Sequence, residues 1–247
     1  MKIRLDQLLC NLGVSISLKS AQALIGAGEV YVDDKIADKP GIFYEPNVSI
    51  RLKNRCPYVS RGGLKLEKGL SHFKIDPTGW VCIDIGASTG GFTDCLLQHN
   101  AKKVYAIDVA YGQLSWKIRQ DTRVVTLERF NARSISSSDI EETRIDFAVM
   151  DVSFISITTL LPALLPLFKE KVKILALIKP QFELLKEEVG KGGVVHQPDL
   201  HQKAIGKIVG FVENAGLTSN GVIDSPILGP KGNREFLISI ASKPNHQ

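Results

Sequence analysis

The sequence predicts an α/β fold built around a doubly wound, largely parallel sheet. Apolar runs at residues 81–85, 103–108, 123–128, 145–151 and 172–179 each have the length of a buried strand. The first run ends in a glycine-rich loop, and a helical pattern follows that loop. A strand, a glycine turn and a helix N-terminus in this order form the opening unit of such sheets.

The glycine-rich loop reads Asp84-Ile-Gly-Ala-Ser-Thr-Gly-Gly-Phe92. Glycine lets the backbone turn sharply and lets a ligand approach without a Cβ in the way. The unpaired N–H groups at the start of the following helix attract a negative group. The spacing matches neither the dinucleotide-binding fingerprint nor a Walker A loop. The loop therefore indicates a ligand site of another kind, with an ordinary tight turn as the alternative.

A second strand ends in Asp108, about 20 residues after the loop. An acid at this distance accepts hydrogen bonds from a ribose diol, so we expect Asp108 to hold the ribose of a ligand. With regular winding, Asn131 and Ala132 follow the third strand near the base of the same ligand. Tyr111 or Trp116 could close over it.

Composition and charge exclude several classes of protein. The chain is 44% hydrophobic and 23% charged, with a net charge of +5 at pH 7, which is ordinary for a globular protein. It contains no apolar run of the roughly 18 residues that a membrane span needs, and its first residues lack the apolar part of a signal peptide. The four cysteines are scattered, and the spacing of His196 and His201 suits a metal poorly. We therefore expect a cytoplasmic protein with neither a membrane segment nor a metal site.

Residues 1–55 are predicted to form a small α/β unit. Leucines recur at helical spacing up to Leu12 and stop at Gly13. A second helix over residues 21–26 can be capped by Ser17 or Ser20. A strand, a two-aspartate turn and a second strand follow. We expect residues 56–60 to link this unit to a second domain over residues 61–247.

Basic residues are concentrated where the two predicted domains meet. Residues 51–74 contain one acid, Glu67, and seven basic residues: Arg51, Lys53, Arg55, Arg61, Lys65, Lys68 and Lys74. Clustered Lys and Arg form the electrostatic footprint of phosphate binding, although such a run is more often a solvated surface. In the helix predicted after residue 60, Lys65 borders the buried face and Lys68 points away from it. Lys65 can therefore reach a partly enclosed site.

Three more charged residues stand at the ends of predicted strands. Asp151 and Lys179 each close an apolar run, and Glu235 enters the last predicted strand. Doubly wound sheets bind their ligands at the carboxyl ends of the strands. A charged side chain that directly follows a buried apolar strand is unusual. Asp151 and Lys179 therefore predict either a catalytic pair or a buried structural ion pair.

Several independent motifs resemble one family over nearly the full length of the chain. The glycine loop resembles the first motif of FtsJ-type S-adenosylmethionine (SAM) methyltransferases, and residues 1–55 resemble the S4 RNA-binding domain. Where that domain usually carries Ser-Arg, this chain has Ser17-Leu18. Four segments together resemble the haemolysin-A (TlyA) family of S4-linked rRNA ribose 2′-O-methyltransferases. They are Ser60-Arg-Gly-Gly-Leu-Lys65, Asp151-Val-Ser-Phe-Ile-Ser156, Ile178-Lys-Pro-Gln-Phe-Glu183 and Gly232-Asn-Arg-Glu235.

The resemblance implies a Rossmann-like methyltransferase sheet with an antiparallel C-terminal strand, SAM as cofactor, and ribosomal RNA or ribosomal subunits as partner, with cytidine as the methylated nucleoside. It implies a catalytic tetrad of Lys65, Asp151, Lys179 and Glu235. The residues expected to contact SAM are Asp84, Gly86, Ser88, Gly90, Gly91, Phe92, Asp108, Val109, Asn131 and Ala132. The residues expected to contact RNA are Arg4, Lys19, Arg51, Lys53, Arg55 and Arg61.

Methyl transfer from a sulfonium needs a protein that orients a ribose 2′-hydroxyl and helps to remove its proton. A lone lysine is a cation at neutral pH and a poor base, but a second lysine nearby disfavours its charged form. By resemblance, Lys179 deprotonates or polarises the hydroxyl, Asp151 orients Lys179, and Lys65 and Glu235 complete the network.

Three alternatives stay open at this point. A non-catalytic RNA-binding or ribosome-assembly factor would keep the fold without binding SAM. A membrane-active haemolysin would need an amphipathic or long apolar segment, which the sequence lacks. A pseudouridine synthase, also S4-linked, would have no use for the glycine loop.

Overall fold

The computed structural model describes residues 2–53, 56–141 and 144–243. Arg55, one of the residues expected to contact RNA, lies outside these ranges. The chain divides into two compact units, Met1–Arg55 and Cys56–Gln247. Each unit has an apolar core of its own.

The first unit combines two short helices with small antiparallel sheets. Its elements are β1 (Ile3–Arg4), α1 (Leu5–Asn11), α2 (Leu18–Gly26), β2 (Val30–Val32), β3 (Lys35–Ala37), β4 (Phe43–Tyr44) and β5 (Ile50–Leu52). Ser17 caps α2, because its side chain accepts a hydrogen bond from the Ser20 N–H at 3.2 Å. Asp33 and Asp34 have φ values of 46° and 62° and form the predicted turn between β2 and β3. Leu12 lies beyond the end of α1 and is 51% exposed, so the predicted leucine stripe is one residue too long.

The second unit alternates strands with helices. Its strands are β6 (Val81–Ile85), β7 (Lys103–Ile107), β8 (Val124–Leu127), β9 (Phe147–Met150), β10 (Lys173–Ile178), β11 (Leu217–Asp224) and β12 (Phe236–Ser242). Its α-helices are α3 (Gly62–Phe73), α4 (Gly91–Gln98), α5 (Trp116–Arg119), α6 (Leu161–Leu164), α7 (Pro180–Glu183) and α8 (Pro198–Asn214). Short 3-10 turns cover Ala132–Ser134, Ser137–Asp139, Ile157–Thr159, Leu165–Leu167, Lys186–Glu188 and Pro230–Gly232.

One seven-stranded sheet organises the second unit, with the strand order β11-β12-β10-β9-β6-β7-β8. The strands from β10 to β8 are parallel, and β12 runs antiparallel to both β10 and β11. Successive side chains of the central strands enter separate cores on the two faces, with α3 and α4 on one side and α6 and α8 on the other. The predicted doubly wound sheet and its antiparallel C-terminal strand are confirmed.

Residues 157–167 form short helical turns around α6 and not one long helix, since Pro162 and Pro166 lie in this stretch. One segment differs from the expectation. Residues 56–60, predicted to be a linker, lie within the second unit. There Tyr58 is 7% exposed and the Val59 N–H donates to Asp94 at 2.8 Å. Among the described residues, no helix is long and apolar enough to cross a membrane.

Candidate active site

Four charged side chains form one chain of ion pairs in the second unit. Lys65 Nζ lies 2.6 Å from Glu235 Oε2 and 3.8 Å from Asp151 Oδ2. Lys179 Nζ lies 2.5 Å from Asp151 Oδ1. The order is therefore Glu235, Lys65, Asp151, Lys179, and the structure brings together all four residues of the expected tetrad.

Sheet topology explains why these residues meet. Asp151 and Lys179 directly follow β9 and β10, which are adjacent and parallel, so their side chains leave the same edge of the sheet. β12 runs antiparallel to β10, and Phe236 at its start pairs with Ile178 at the end of β10. Glu235 therefore lies at the same edge. Lys65 reaches the edge from the first half of α3, on whose face Leu66 and Leu70 are buried.

The tetrad is largely shielded from water. Lys65 and Lys179 are each 7% exposed and Glu235 is 2% exposed, whereas the Asp151 side chain retains 20% exposure. Two ammonium groups beside two carboxylates satisfy the requirement that buried charges be paired. Lys179 Nζ also donates to Ser153 Oγ at 3.1 Å. The site is therefore charge-balanced, and it opens to solvent on the Asp151 side.

A cavity of about 510 Å³ opens above the tetrad. Lys65, Asp151 and Lys179 lie in its wall, together with Arg61 at its edge. The glycine loop supplies another wall through Gly86, Ser88, Gly91 and Phe92. This first cavity is wide enough to admit a substrate group to the lysines.

A second cavity of about 340 Å³ adjoins the first. The two cavities share a wall formed by Gly86, Ser88, Asp151 and Ser153. The residues of the second cavity that the sequence singled out are Asp108, Val109, Asn131 and Ala132. A ligand that fills the second cavity can thus extend past the glycine loop towards the tetrad.

The lining of the second cavity fits a nucleoside-containing ligand. Gly86 has φ +82°, and a Cβ there would lie 2.6 Å from the Asp151 carbonyl oxygen, so only glycine keeps the chain this close. The Asp108 carboxylate accepts hydrogen bonds from the Ser88 N–H at 2.7 Å and the Ala110 N–H at 2.8 Å. Each carboxylate oxygen keeps acceptor capacity for a sugar hydroxyl.

Asp84 and Gly90 are the two expected cofactor contacts that line neither cavity. Asp84 is fully buried, and its Oδ2 accepts a hydrogen bond from Thr93 Oγ1 at 2.6 Å. Burial raises the pKa of its carboxyl to about 7. Gly90, within the loop, has φ +94°, and a Cβ there would lie 2.9 Å from Leu114, so glycine lets the loop lie close to that side chain.

Apart from Arg55, which lies outside the described residues, the residues expected to contact RNA lie at the surface of their units. In the first unit Lys19 and Lys53 are exposed, Arg4 pairs with Asp6 at 2.8 Å, and Arg51 pairs with Asp34 at 3.0 Å. The Asp6 pairing lowers the pKa of that carboxyl to about 2. In the second unit Arg61 is exposed at the first cavity.

The two histidines considered as metal ligands have different environments. His201 is buried, with Nε2 2.9 Å from the Val195 carbonyl oxygen, and His196 is exposed. Within residues 2–53, 56–141 and 144–243, no group of three or more His, Cys, Asp or Glu side chains is arranged to hold a metal ion.

Sequence reasoning missed three residues beside the tetrad. Ser153 contacts Lys179 and lines both cavities. Phe154 is 90% exposed, and its ring centre lies 5.0 Å from that of Phe182. Hydrophobic periodicity does not predict the role of residues that follow a strand. These residues could have been predicted only from their position in the two motifs that carry Asp151 and Lys179.

Comparison with known proteins identifies the families that the two units resemble. The FtsJ-like methyltransferase family model matches residues 58–242, and the S4 domain model matches residues 3–50. The 16S/23S rRNA (cytidine-2′-O)-methyltransferase TlyA of Mycobacterium tuberculosis is 42% identical over 96% of this chain and 89% of its own. Hemolysin A of Brachyspira hyodysenteriae is 41% identical over 95% of this chain and 98% of its own.

A solved structure described as a "putative hemolysin from Streptococcus thermophilus" is 41% identical. It superposes with a TM-score of 0.75 and covers 98% of this chain and 88% of its own. The matched family model extends over well more than half of the sequence. This chain is therefore an FtsJ-like methyltransferase with an N-terminal S4 domain, and it belongs to the family of the TlyA and hemolysin A proteins.

Proposed function

We propose that this protein transfers the methyl group of SAM to a ribose 2′-hydroxyl of ribosomal RNA, with cytidine as the target nucleoside. The observation that carries the proposal is the ion-pair chain of Lys65, Asp151, Lys179 and Glu235 beside two adjoining cavities. The activity named for the M. tuberculosis relative supports the substrate class.

The second cavity suits the adenosine part of SAM. Asp108 would accept hydrogen bonds from the ribose hydroxyls, while Asn131 and Ala132 would face the adenine. The shared wall at Gly86 and Ser88 would let the remainder of SAM approach the tetrad. When bound, SAM supplies an activated methyl group and its own leaving group. The protein must then position the acceptor hydroxyl and assist the removal of its proton.

Lys179 is the residue that handles the acceptor hydroxyl in this proposal. Lys179 Nζ forms an ion pair with Asp151 and donates a hydrogen bond to Ser153. Lys179 also lines the first cavity, where the substrate 2′-oxygen would meet it. Asp151 orients both lysines, and Glu235 balances the charge of Lys65. General base or polarising assistance of this kind typically contributes about 10²–10⁴-fold.

The surface around the two adjoining cavities suits single-stranded RNA. Sequence-specific RNA enzymes stack unpaired bases on aromatic rings, and Phe154 offers an exposed ring beside Phe182. Arg61 at the cavity edge can bind a phosphate. In the S4 domain we assign RNA contacts to Arg4, Lys19, Arg51, Lys53 and Arg55.

The proposal is tested with the purified full-length chain, SAM carrying a labelled methyl group, and ribosomal subunits. We expect transfer of the label to a ribose, and binding of SAM by calorimetry in the absence of RNA. RNA binding without SAM binding would favour the non-catalytic assembly factor. Leakage of liposomes independent of SAM would favour the membrane-active alternative.

A further inference from the structure

Ser153 is a polar residue at the tetrad that the four catalytic residues do not include. Its Oγ accepts a hydrogen bond from Lys179 Nζ at 3.1 Å, and it lines both cavities. We propose that Ser153 is the positioning residue for Lys179, fixing the direction in which Lys179 Nζ meets the substrate hydroxyl. This inference rests on the function proposed above.

A lysine with one partner is poorly oriented. The Lys side chain is a flexible four-carbon stem that ends in a rotating ammonium group. The contact with Asp151 Oδ1 at 2.5 Å fixes the distance of Nζ but leaves rotation about that contact free. A second acceptor, Ser153 Oγ, removes this freedom. Lys179 itself lines the first cavity, so the position of Nζ that these two partners fix is the one that the substrate hydroxyl would meet.

Hydrogen bonds fix the backbone conformation of the residues that follow Ser153. The next residue, Phe154, has φ +65°, a left-handed conformation that a bulky side chain rarely adopts. Farther along, Ser156 Oγ donates to Glu183 Oε2, and the Ile157 N–H donates to Glu183 Oε1 at 3.0 Å. Glu183 is 4% exposed, so these bonds are sheltered from water.

Two separate connections, made by three hydrogen bonds, thus tie the segment after Asp151 to the segment after β10. One is the bond between Ser153 and Lys179, and the other is the anchorage of residues 156–157 on Glu183. Both segments follow neighbouring strands. The anchorage holds the unfavourable turn at Phe154, and the turn directs Ser153 towards Lys179.

The test compares Ser153→Ala, which removes the hydroxyl, with Ser153→Thr, which keeps it, in the full chain. Ser71→Ala serves as a control, because Ser71 is exposed on α3 away from the tetrad. Each variant is assayed for SAM affinity by calorimetry and for kcat and KM with ribosomal subunits. Loss of a hydrogen bond to a charged group should lower kcat by about tenfold or more in Ser153→Ala. The RNA KM should stay unchanged, any change in SAM affinity should be small beside the change in kcat, and Ser153→Thr should recover most of kcat.

An unchanged kcat in Ser153→Ala would overturn the inference while leaving the proposed function intact. So would a Ser153→Thr variant that binds SAM but is as slow as Ser153→Ala, because the hydroxyl would then not be the feature that matters. If the unaltered protein and Lys179→Ala both fail to methylate ribose, the proposed function falls and the role of Ser153 falls with it.

Discussion

Lys65 and Glu235 are separated by 170 positions in the sequence, and Lys65 Nζ lies 2.6 Å from Glu235 Oε2. The pair joins the first helix of the methyltransferase unit to its last strand. Because Glu235 is almost fully buried, Lys65 neutralises a charge inside the fold, and it also completes the proposed catalytic network. The stability of this edge of the sheet and its proposed chemistry therefore depend on the same contact.

The first prediction concerns the stability that this pair provides. Lys65→Ala leaves the Glu235 carboxylate buried without its cation, so the free energy of unfolding should fall by about 3 kcal/mol. Lys68→Ala is the matched control, since Lys68 lies on the exposed side of the same helix; its effect should stay within about 0.5 kcal/mol. Denaturant unfolding of both variants checks the difference. Equal effects would mean that the pair contributes nothing specific.

The second prediction separates chemistry from cofactor binding. Lys179→Ala should abolish methyl transfer, because the substrate hydroxyl loses the group that handles its proton. SAM binding should be nearly intact, since Lys179 lines only the first cavity. Calorimetry measures SAM binding, and a methyl-transfer assay measures activity. Lys186→Ala is the control, because Lys186 is exposed. Full turnover by Lys179→Ala would remove this residue from the mechanism.

The third prediction concerns the closest approach of the glycine loop to the strand end. An alanine Cβ at Gly86 would lie 2.6 Å from the Asp151 carbonyl oxygen, so Gly86→Ala must displace the shared wall of the two cavities. SAM affinity and methyl transfer should both be lost. Gly79 has a similar φ of +75°, but a Cβ there would meet no atom within 4 Å. Gly79→Ala therefore introduces the same backbone strain without crowding a neighbour. If Gly79→Ala were equally damaging to SAM binding, strain and not crowding would be the cause.

The fourth prediction uses the buried carboxyl of Asp84. Its pKa in the folded protein is about 7, above the ordinary value of 3.8, so the folded state holds the proton more tightly than the unfolded state. Between these two values the folded state binds more protons, and the stability contributed by Asp84 is lost as the pH rises through that window. Fully ionised, the group should cost at most about 4 kcal/mol.

Asp84→Asn cannot ionise, so it should be more stable than the unaltered protein at pH 8, and the difference should shrink towards pH 4. Denaturant unfolding of both proteins between pH 4 and pH 8 measures this difference in stability. Parallel stability curves would show that Asp84 does not titrate in the fold. Calorimetry on the same variant also tests the sequence-based expectation that Asp84 contributes to SAM affinity, here through its bond to Thr93 under the loop.

Sequence patterns predicted the sheet and the proximity of Asp151 and Lys179, because these two residues end neighbouring parallel strands. Lys65 and Glu235 entered the tetrad only through the resemblance to a known family. That Asp84 lines neither cavity was not predicted, since a motif gives the order of residues and not the direction of each side chain. Ser153 was missed for a related reason. The residue after it, Phe154, has a left-handed backbone conformation, and no propensity scale favours that conformation for phenylalanine.

Ribose methylation of ribosomal RNA is the central activity proposed for this protein. Mass mapping of ribosomal RNA from cells with the protein, without it, and with only the Lys179→Ala variant measures it directly. We expect a cytidine 2′-O-methyl group that is present in the first sample and absent from the other two. Ribosomal RNA with identical ribose methylation in all three samples would contradict this proposal.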